Sequence, residues 1–115
     1  MKRIALVALM AASLGACLSA PPPTEPPYRA VGQDSDWTLI VDDRYLTFIG
    51  APGSQPILQP SVKPIIGFAG EIYQTPRINV NVVHSRCSDG RSDRAYPDSV
   101  QLTVDGRQYK GCGGL

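Results

Sequence analysis

One stretch near the end of the chain, VQLTVDGRQYK at residues 100–110, constrains the fold more than any other. Apolar and polar residues alternate on both sides of Asp105-Gly106, as they do in strands that bury one face. An Asp-Gly pair between two such runs favours a two-residue turn in which both central residues have positive φ. The stretch therefore predicts a β-hairpin, and no window after residue 17 shows a convincing helical period.

Alternation of the same kind recurs earlier in the chain. It predicts a hairpin from 37–41 and 45–49, a weaker strand over 65–73 that contains a bulge, and a strand over 77–84. The proline-rich residues 52–64 are predicted to form a long irregular connection. About six strands in about ninety residues predict an all-β fold, a small antiparallel barrel or sandwich.

The first residues, MKRIALVALMAASLGAC, have the features of a secretory signal. Lys2 and Arg3 precede an apolar run that is shorter than the about 20 residues of a membrane span. The sequence at 14–17, Leu-Gly-Ala-Cys, resembles a bacterial lipobox. In that family the cysteine sulfur receives a diacylglycerol, the signal is cut in front of the cysteine, and the new amine is usually acylated. We therefore predict a signal peptide over residues 1–16 and lipidation of Cys17. Leu18 favours export to the outer membrane, because an Asp there resembles an inner-membrane retention signal.

A proline-rich segment follows Cys17, with five prolines between residues 21 and 27. Such runs are extended and semi-rigid, at about 3.1 Å per residue. The sequence thus predicts a lipidated tether over residues 17–27 and one β-domain over residues 28–115. The expected location is the outer membrane, with the domain in the periplasm.

Cysteine usage predicts one disulfide. With Cys17 assigned to the lipid, Cys87 and Cys112 remain as an even pair in an exported chain, where disulfides persist. Closing a loop of this length would contribute about 3.5 kcal/mol. A zinc site is disfavoured, because His84 and these two cysteines lack paired Cys-x-x-Cys spacing and a fourth ligand.

Two segments of the chain resemble a known family. YRAVGQDSDWTLIVDDRYLTF and CSDGRSDRAYPDSVQLTVDGRQYKGCGG look like small bacterial envelope lipoproteins, and the likeness covers nearly all of residues 28–114. These share an aromatic-Arg-Ala-x-Gly opening, a following Trp, and a Cys-Ser-Asp-Gly-x-Ser-Asp-x-x-Tyr-Pro block that ends in a Gly-Cys pair. This chain departs from them at 34–36, where the family has an acidic-Pro pair, and at Arg91, where it commonly has Met.

The resemblance implies a fold and a setting. The family is similar to META-type (HslJ-like) domains and to the membrane-bound inhibitors of C-type lysozyme, which are small β-structures on lipid anchors. It implies no enzymatic activity.

The polar stretch CSDGRSDRAYPD at 87–98 is the main candidate site, and an enzymatic role for it is disfavoured. The chain has serines at 85, 88 and 92 beside its only histidine, His84, but no Gly-x-Ser-x-Gly elbow. Strand neighbours such as His84 and Ser85 also point to opposite faces, whereas a base must reach the hydroxyl. No feature of the sequence gives Asp89 and Asp93 the separate acid and base roles that the paired carboxyls of a glycosidase require.

Three interpretations of this stretch stay open. Asp89, Asp93 and Asp98 would offer oxygen ligands to Ca²⁺, although their spacing is not that of an EF-hand. Aspartate, serine and glycine also brace tight turns, which predicts a structural loop. A binding loop is the third interpretation, in which Arg91 and Arg94 would grip carboxylates, as in a lysozyme inhibitor. Its candidate binding residues are Ser88, Arg91, Ser92 and Arg94.

The sequence therefore favours a non-enzymatic lipoprotein with a structural or binding role in the envelope. We expect no cofactor and no metal. The near-neutral balance of 11 basic and 10 acidic residues argues against nucleic acid as a partner. An envelope protein, peptidoglycan or a lysozyme remain as expected partners besides the membrane.

Overall fold

The computed structural model describes residues 26–115. The predicted signal peptide, the acylation site at Cys17 and most of the tether lie outside the described residues. Residues 26–115 contain strands and no helix. None of this part of the chain therefore forms a helix long and apolar enough to cross a membrane.

Nine strands form one antiparallel sheet, and two short strands form a separate ribbon. Across the sheet the strands are β4 (Ile57–Pro60), β3 (Tyr45–Ile49), β2 (Thr38–Val41), β1 (Tyr28–Gly32), β11 (Arg107–Gly113), β10 (Asp98–Val104), β7 (Ile78–Val83), β6 (Gly70–Gln74) and β5 (Ile65–Ile66). The ribbon pairs β8 (Cys87–Ser88) with β9 (Ala95–Tyr96). The fold is thus all-β and antiparallel, as predicted.

The sheet curls into a half-barrel. Its two edge strands, β4 and β5, are neighbours in sequence and are joined by residues 61–64 alone. Four residues span at most about 3.6 Å each, so the two edges must lie close together. The curl is also held by a side chain, because the backbone N–H of Arg77 donates to Oε1 of Gln59 at 2.9 Å.

The concave face carries the core. Its buried residues alternate along each strand with exposed or half-buried ones, as period-two patterning requires. The core side chains are Ala30, Trp37, Leu39, Val41, Leu46, Phe48, Ile78, Val80, Val82, Val100, Leu102 and Val104. Their apolar character explains why the sheet curls, since one curled sheet must bury this face against itself.

Aromatic rings close one end of the half-barrel, which we call the aromatic end. Trp37 lies 6.1 Å from Phe48 between ring centroids, and Phe48 lies 5.0 Å from Tyr109. The indole lies over the paired Gly32 and Gly111, where an added Cβ would come within 2.7 and 2.6 Å of the ring. The two glycines therefore make the space that Trp37 fills.

The predicted hairpins are confirmed. Asp105 and Gly106 have φ of 49° and 84°, and β10 and β11 pair on either side of them. In the β2–β3 turn, the carboxylate of Asp42 accepts the backbone N–H groups of Arg44 and Tyr45, each at 2.8 Å.

Two predictions about the middle of the chain are wrong. Residues 65–73 form no single bulged strand; the chain reverses after Ile66, and the N–H of Gly67 bonds the carbonyl of Gly70 at 2.8 Å. Residues 52–64 are not wholly irregular, because β4 pairs with β3 up to Pro60. An edge strand tolerates proline, so the prolines of this segment did not exclude a strand as the sequence analysis had assumed. Together with the two-residue strands β5, β8 and β9, this raises the number of strands well above six.

Candidate functional site

The segment between β7 and β10 folds back over the convex face of the sheet. Cys112 lies on β11 opposite Ser99, on the face away from the core, and is fully buried beneath this segment. Its disulfide with Cys87 joins Cα atoms 5.5 Å apart. The predicted disulfide is thus present, and it fixes the first residue of the loop to the sheet.

Asp89 braces the loop from inside. Its carboxylate accepts the backbone N–H groups of Arg91 at 2.8 Å and Ser92 at 2.9 Å. The hydroxyls of Ser92 and Tyr96 donate to it as well, at 3.0 and 3.2 Å. These bonds, those from the backbone first, lower the pKa of Asp89 to about 2. Gly90 completes the turn with a φ of 73°. The Asp-Gly-x-Ser core of the motif is therefore structural.

The two candidate serines take part in this bracing. The hydroxyl of Ser92 donates to Asp89 and accepts the backbone N–H of Arg94 at 3.3 Å. The hydroxyl of Ser88 accepts the N–H of Gly90 at 3.3 Å, and its carbonyl accepts the amide of Gln33 at 2.8 Å. Both serines hold the loop, and Ser88 also ties it to the β1–β2 connection.

The two candidate arginines differ from each other. The guanidinium of Arg91 forms an ion pair with Asp36 of the β1–β2 connection. The hydrogen bond to Asp36 raises the pKa of Arg91 further. Arg94 is exposed, and within residues 26–115 its guanidinium joins none of the ion pairs. Of the four candidate binding residues, Arg94 alone presents an unengaged charge to solvent.

The three aspartates of the calcium interpretation have separate surroundings. Asp89 lies inside the loop, Asp93 is exposed at its rim, and Asp98 faces the concave side of the sheet. Within residues 26–115 no three His, Cys, Asp or Glu side chains converge as metal ligands would. The geometry therefore offers no support for a calcium loop.

A cleft of about 480 Å³ separates the loop from the β3–β4 connection. Its polar lining includes Asp36, Asp89 and Arg91, and its apolar lining includes Pro52 and Tyr96. The acids and the arginine are already paired or hydrogen-bonded. The cleft could thus hold a ligand by its shape and by apolar contact, but it has few free polar groups to bind one.

A second cluster, which the sequence analysis did not anticipate, lies at the end of the half-barrel opposite Trp37. We call this the polar end, and it consists of Tyr28, Glu71, His84 and Asp98. The hydroxyl of Tyr28 donates to Oδ2 of Asp98 at 2.8 Å, and Nδ1 of His84 lies 2.7 Å from Oδ1. Nε2 of His84 lies 2.5 Å from Glu71. One histidine therefore bridges two carboxylates.

Contacts within this cluster raise the pKa values of two of its members. The hydrogen bond to Asp98 is the main cause that raises the pKa of His84, because an imidazolium donates from both nitrogens. Burial, and then the bond to Asp98, raise the pKa of Tyr28 well above its ordinary value. Tyr28 therefore stays a donor, and His84 favours its charged form.

A signal for this cluster was present in the sequence. Asp98 is in register with Val100, Leu102 and Val104, so alternation placed it on the buried face. A buried carboxylate requires partners. Only the pairing of β10 with β7 and β11 shows that these partners are His84 and Tyr28.

No family model matches this chain. No curated protein and no solved structure matches it either.

Proposed function

We propose that this protein is an outer-membrane lipoprotein, anchored through Cys17, with a β-domain that serves as a non-enzymatic structural or binding module in the periplasm. The observation that carries the proposal is the Cys87–Cys112 disulfide. It uses two of the three cysteines and suits an oxidising compartment. The remaining cysteine is the one that ends the lipobox-like sequence.

The surroundings of His84 support a role without catalysis. A histidine that activates a serine must have a ring nitrogen available to take the hydroxyl proton. Both ring nitrogens of His84 face carboxylates, Asp98 on one side and Glu71 on the other. Ser88 and Ser92 bond instead within the loop.

Acyl labelling and fractionation test the anchor. The full chain, expressed in a Gram-negative host, should incorporate radiolabelled palmitate and remain with the outer membrane after a high-salt wash. Cys17→Ala should lose both properties, because acyl chains supply the membrane affinity at about 0.8 kcal/mol per methylene. Retention of the variant in washed outer membranes would show that something other than lipid holds the protein.

Affinity capture tests the binding module. The lipoprotein is crosslinked in intact envelopes and then purified in detergent. It should capture a partner that Arg94→Ala loses, because Arg94 is the candidate binding residue whose charge is unengaged. Arg107→Ala is the matched control, since Arg107 is exposed in the β10–β11 hairpin. Equal capture by both variants would show that the loop is not part of the binding surface. Capture of a lysozyme would favour the inhibitor-like role.

A further inference from the structure

The hairpin between β5 and β6 exposes large apolar side chains. Phe68 is fully exposed, at 108 % of its reference area, and Ile66 is 72 % exposed. Between them stands only Gly67, and Ala69 follows. We call residues 66–69 the apolar tip. Burial of either side chain would be favourable, and the domain itself does not bury them. An exposed tip of this kind marks a contact with something outside the domain.

The apolar tip has a defined backbone. The N–H of Gly67 donates to the carbonyl of Gly70 at 2.8 Å, which closes the turn. The N–H of His84 donates to the carbonyl of Ala69, also at 2.8 Å, and ties the turn to the end of β7. The tip is thus held outward by the sheet.

The tip lies at the end of the domain where the chain enters. Ile66 pairs with Glu71, and Glu71 contacts His84. His84 bonds Asp98, which in turn accepts the hydroxyl of Tyr28, the first residue of β1. Three consecutive side-chain contacts therefore connect the apolar tip to the start of the domain.

The distance to the proposed lipid is short. Eleven residue-to-residue steps lead from Cys17 to Tyr28, the first residue of β1. At no more than about 3.6 Å per step they reach about 40 Å. A lipid on Cys17 would thus hold the polar end, with the apolar tip on it, within that distance of the bilayer.

We propose that the apolar tip inserts into the bilayer interface and seats the domain on the membrane, an inference that rests on the proposed lipid anchor. Phe68 and Ile66 would enter the boundary between headgroups and acyl chains, about 5–10 Å deep. Arg44 and Arg86 are exposed in turns near this end, and so are Asp42 and Asp43. Because both signs of charge are present, the contact relies on apolar burial rather than on anionic lipid.

Quenching by brominated lipids tests this. The full lipoprotein carrying Phe68→Trp is reconstituted in vesicles of phosphatidylethanolamine and phosphatidylglycerol, part of which bear bromine on the acyl chains. The matched control is Ile49→Trp, because Ile49 is 38 % exposed and lies at the aromatic end of β3. Trp37, only 4 % exposed, contributes the same background to both. Both sites are exposed, so neither change removes core packing.

We expect strong quenching of the indole at position 68 and little at position 49. Quenching at 68 should persist in high salt, since screening acts on charge and not on apolar burial. Adding Ile66→Ser should reduce it. Equal, weak quenching at both positions on protein that floats with the vesicles would overturn the proposal. A second result would also overturn it: an unquenched indole in Phe68→Trp, together with crosslinks between copies of the protein that Phe68→Ser abolishes. A second copy, and not the bilayer, would then cover the tip.

Failure of the anchor and failure of the tip give different results. If palmitate labelling shows no acyl group on Cys17, its thiol can be coupled to a maleimide headgroup lipid in the same vesicles. The quenching comparison between positions 68 and 49 then decides the role of the tip, whatever the cell attaches to Cys17.

Discussion

The two ends of the half-barrel are closed by different chemistry. At the aromatic end, Trp37 lies on a pair of glycines and contacts Phe48 and Tyr109. At the polar end, Tyr28, Asp98, His84 and Glu71 form a chain of hydrogen bonds and ion pairs. Both ends have a buried side chain, Trp37 at 4 % and Asp98 at 6 % exposure.

The difference lies in what each end responds to. Apolar burial contributes stability at any pH, in proportion to the area removed from water. A histidine between carboxylates contributes only while it carries a proton. The aromatic end should therefore supply most of the stability, and the polar end should make the stability sensitive to pH.

The largest effect is expected from Trp37→Ala. Removing a buried indole should lower the free energy of unfolding by about 3–5 kcal/mol, through lost burial and the cavity left behind. Urea denaturation followed by circular dichroism measures this. Trp37→Phe should cost less than half as much, because the indole N–H has no hydrogen-bond partner among residues 26–115. A loss as large for Trp37→Phe would show that more than ring burial matters at this end.

The second-largest effect is expected from removal of the disulfide, which lies at neither the aromatic end nor the polar end. Cys87→Ser with Cys112→Ser should lower the free energy of unfolding by about 3 kcal/mol, chiefly because the unfolded chain gains freedom. Denaturation of the oxidised protein and of this double variant gives the value. The pH dependence that we assign to the polar end should be unchanged in the variant. A changed pH profile would mean that the loop and the polar end act as one unit.

At the polar end, Asp98→Ala should lower the free energy of unfolding by about 1–3 kcal/mol. The reason is that the hydroxyl of Tyr28 and Nδ1 of His84 would lose their shared acceptor. Asp93→Ala is the control, with an expected change of at most about 0.5 kcal/mol, since Asp93 is exposed. If the two variants melt alike, the cluster adds nothing to stability.

The smallest effect is the alkaline loss of stability caused by His84. Its pKa is raised in the folded state, so its contribution is complete below the ordinary value of about 6.5 and is lost as pH rises through the raised value. Melting temperature should therefore fall as pH rises from about 6.5 through the raised pKa of His84, and His84→Gln should show a smaller fall. Tyr28 should not contribute in neutral or mildly alkaline solution, because its own loss of stability begins only above the ordinary tyrosine pKa of about 10. Parallel pH profiles for the two proteins would contradict this.

The loop at 87–98 shows how far residue types alone can assign roles. The sequence left bracing, calcium and binding open, because aspartate, serine and glycine suit all three. The structure assigns Asp89, Ser92 and Gly90 to bracing through specific hydrogen bonds. It separates Arg91, paired with Asp36, from the unengaged Arg94. That distinction depends on a residue 55 positions away, which no local pattern reveals.

Residue order alone specified the features that depend on neighbours along the chain. Period-two alternation specified the core faces of β7 and β10, and Asp105-Gly106 specified its turn, because pleating and φ preference are local properties. The disulfide followed from counting cysteines in a chain with a predicted secretory signal. The tertiary structure alone decided which residues from distant strands meet. Strand order and curl bring Tyr28, 70 positions from Asp98, to one end of the barrel and Trp37 to the other. Long-range pairing depends on the registers of several strands together, so no single segment encodes it.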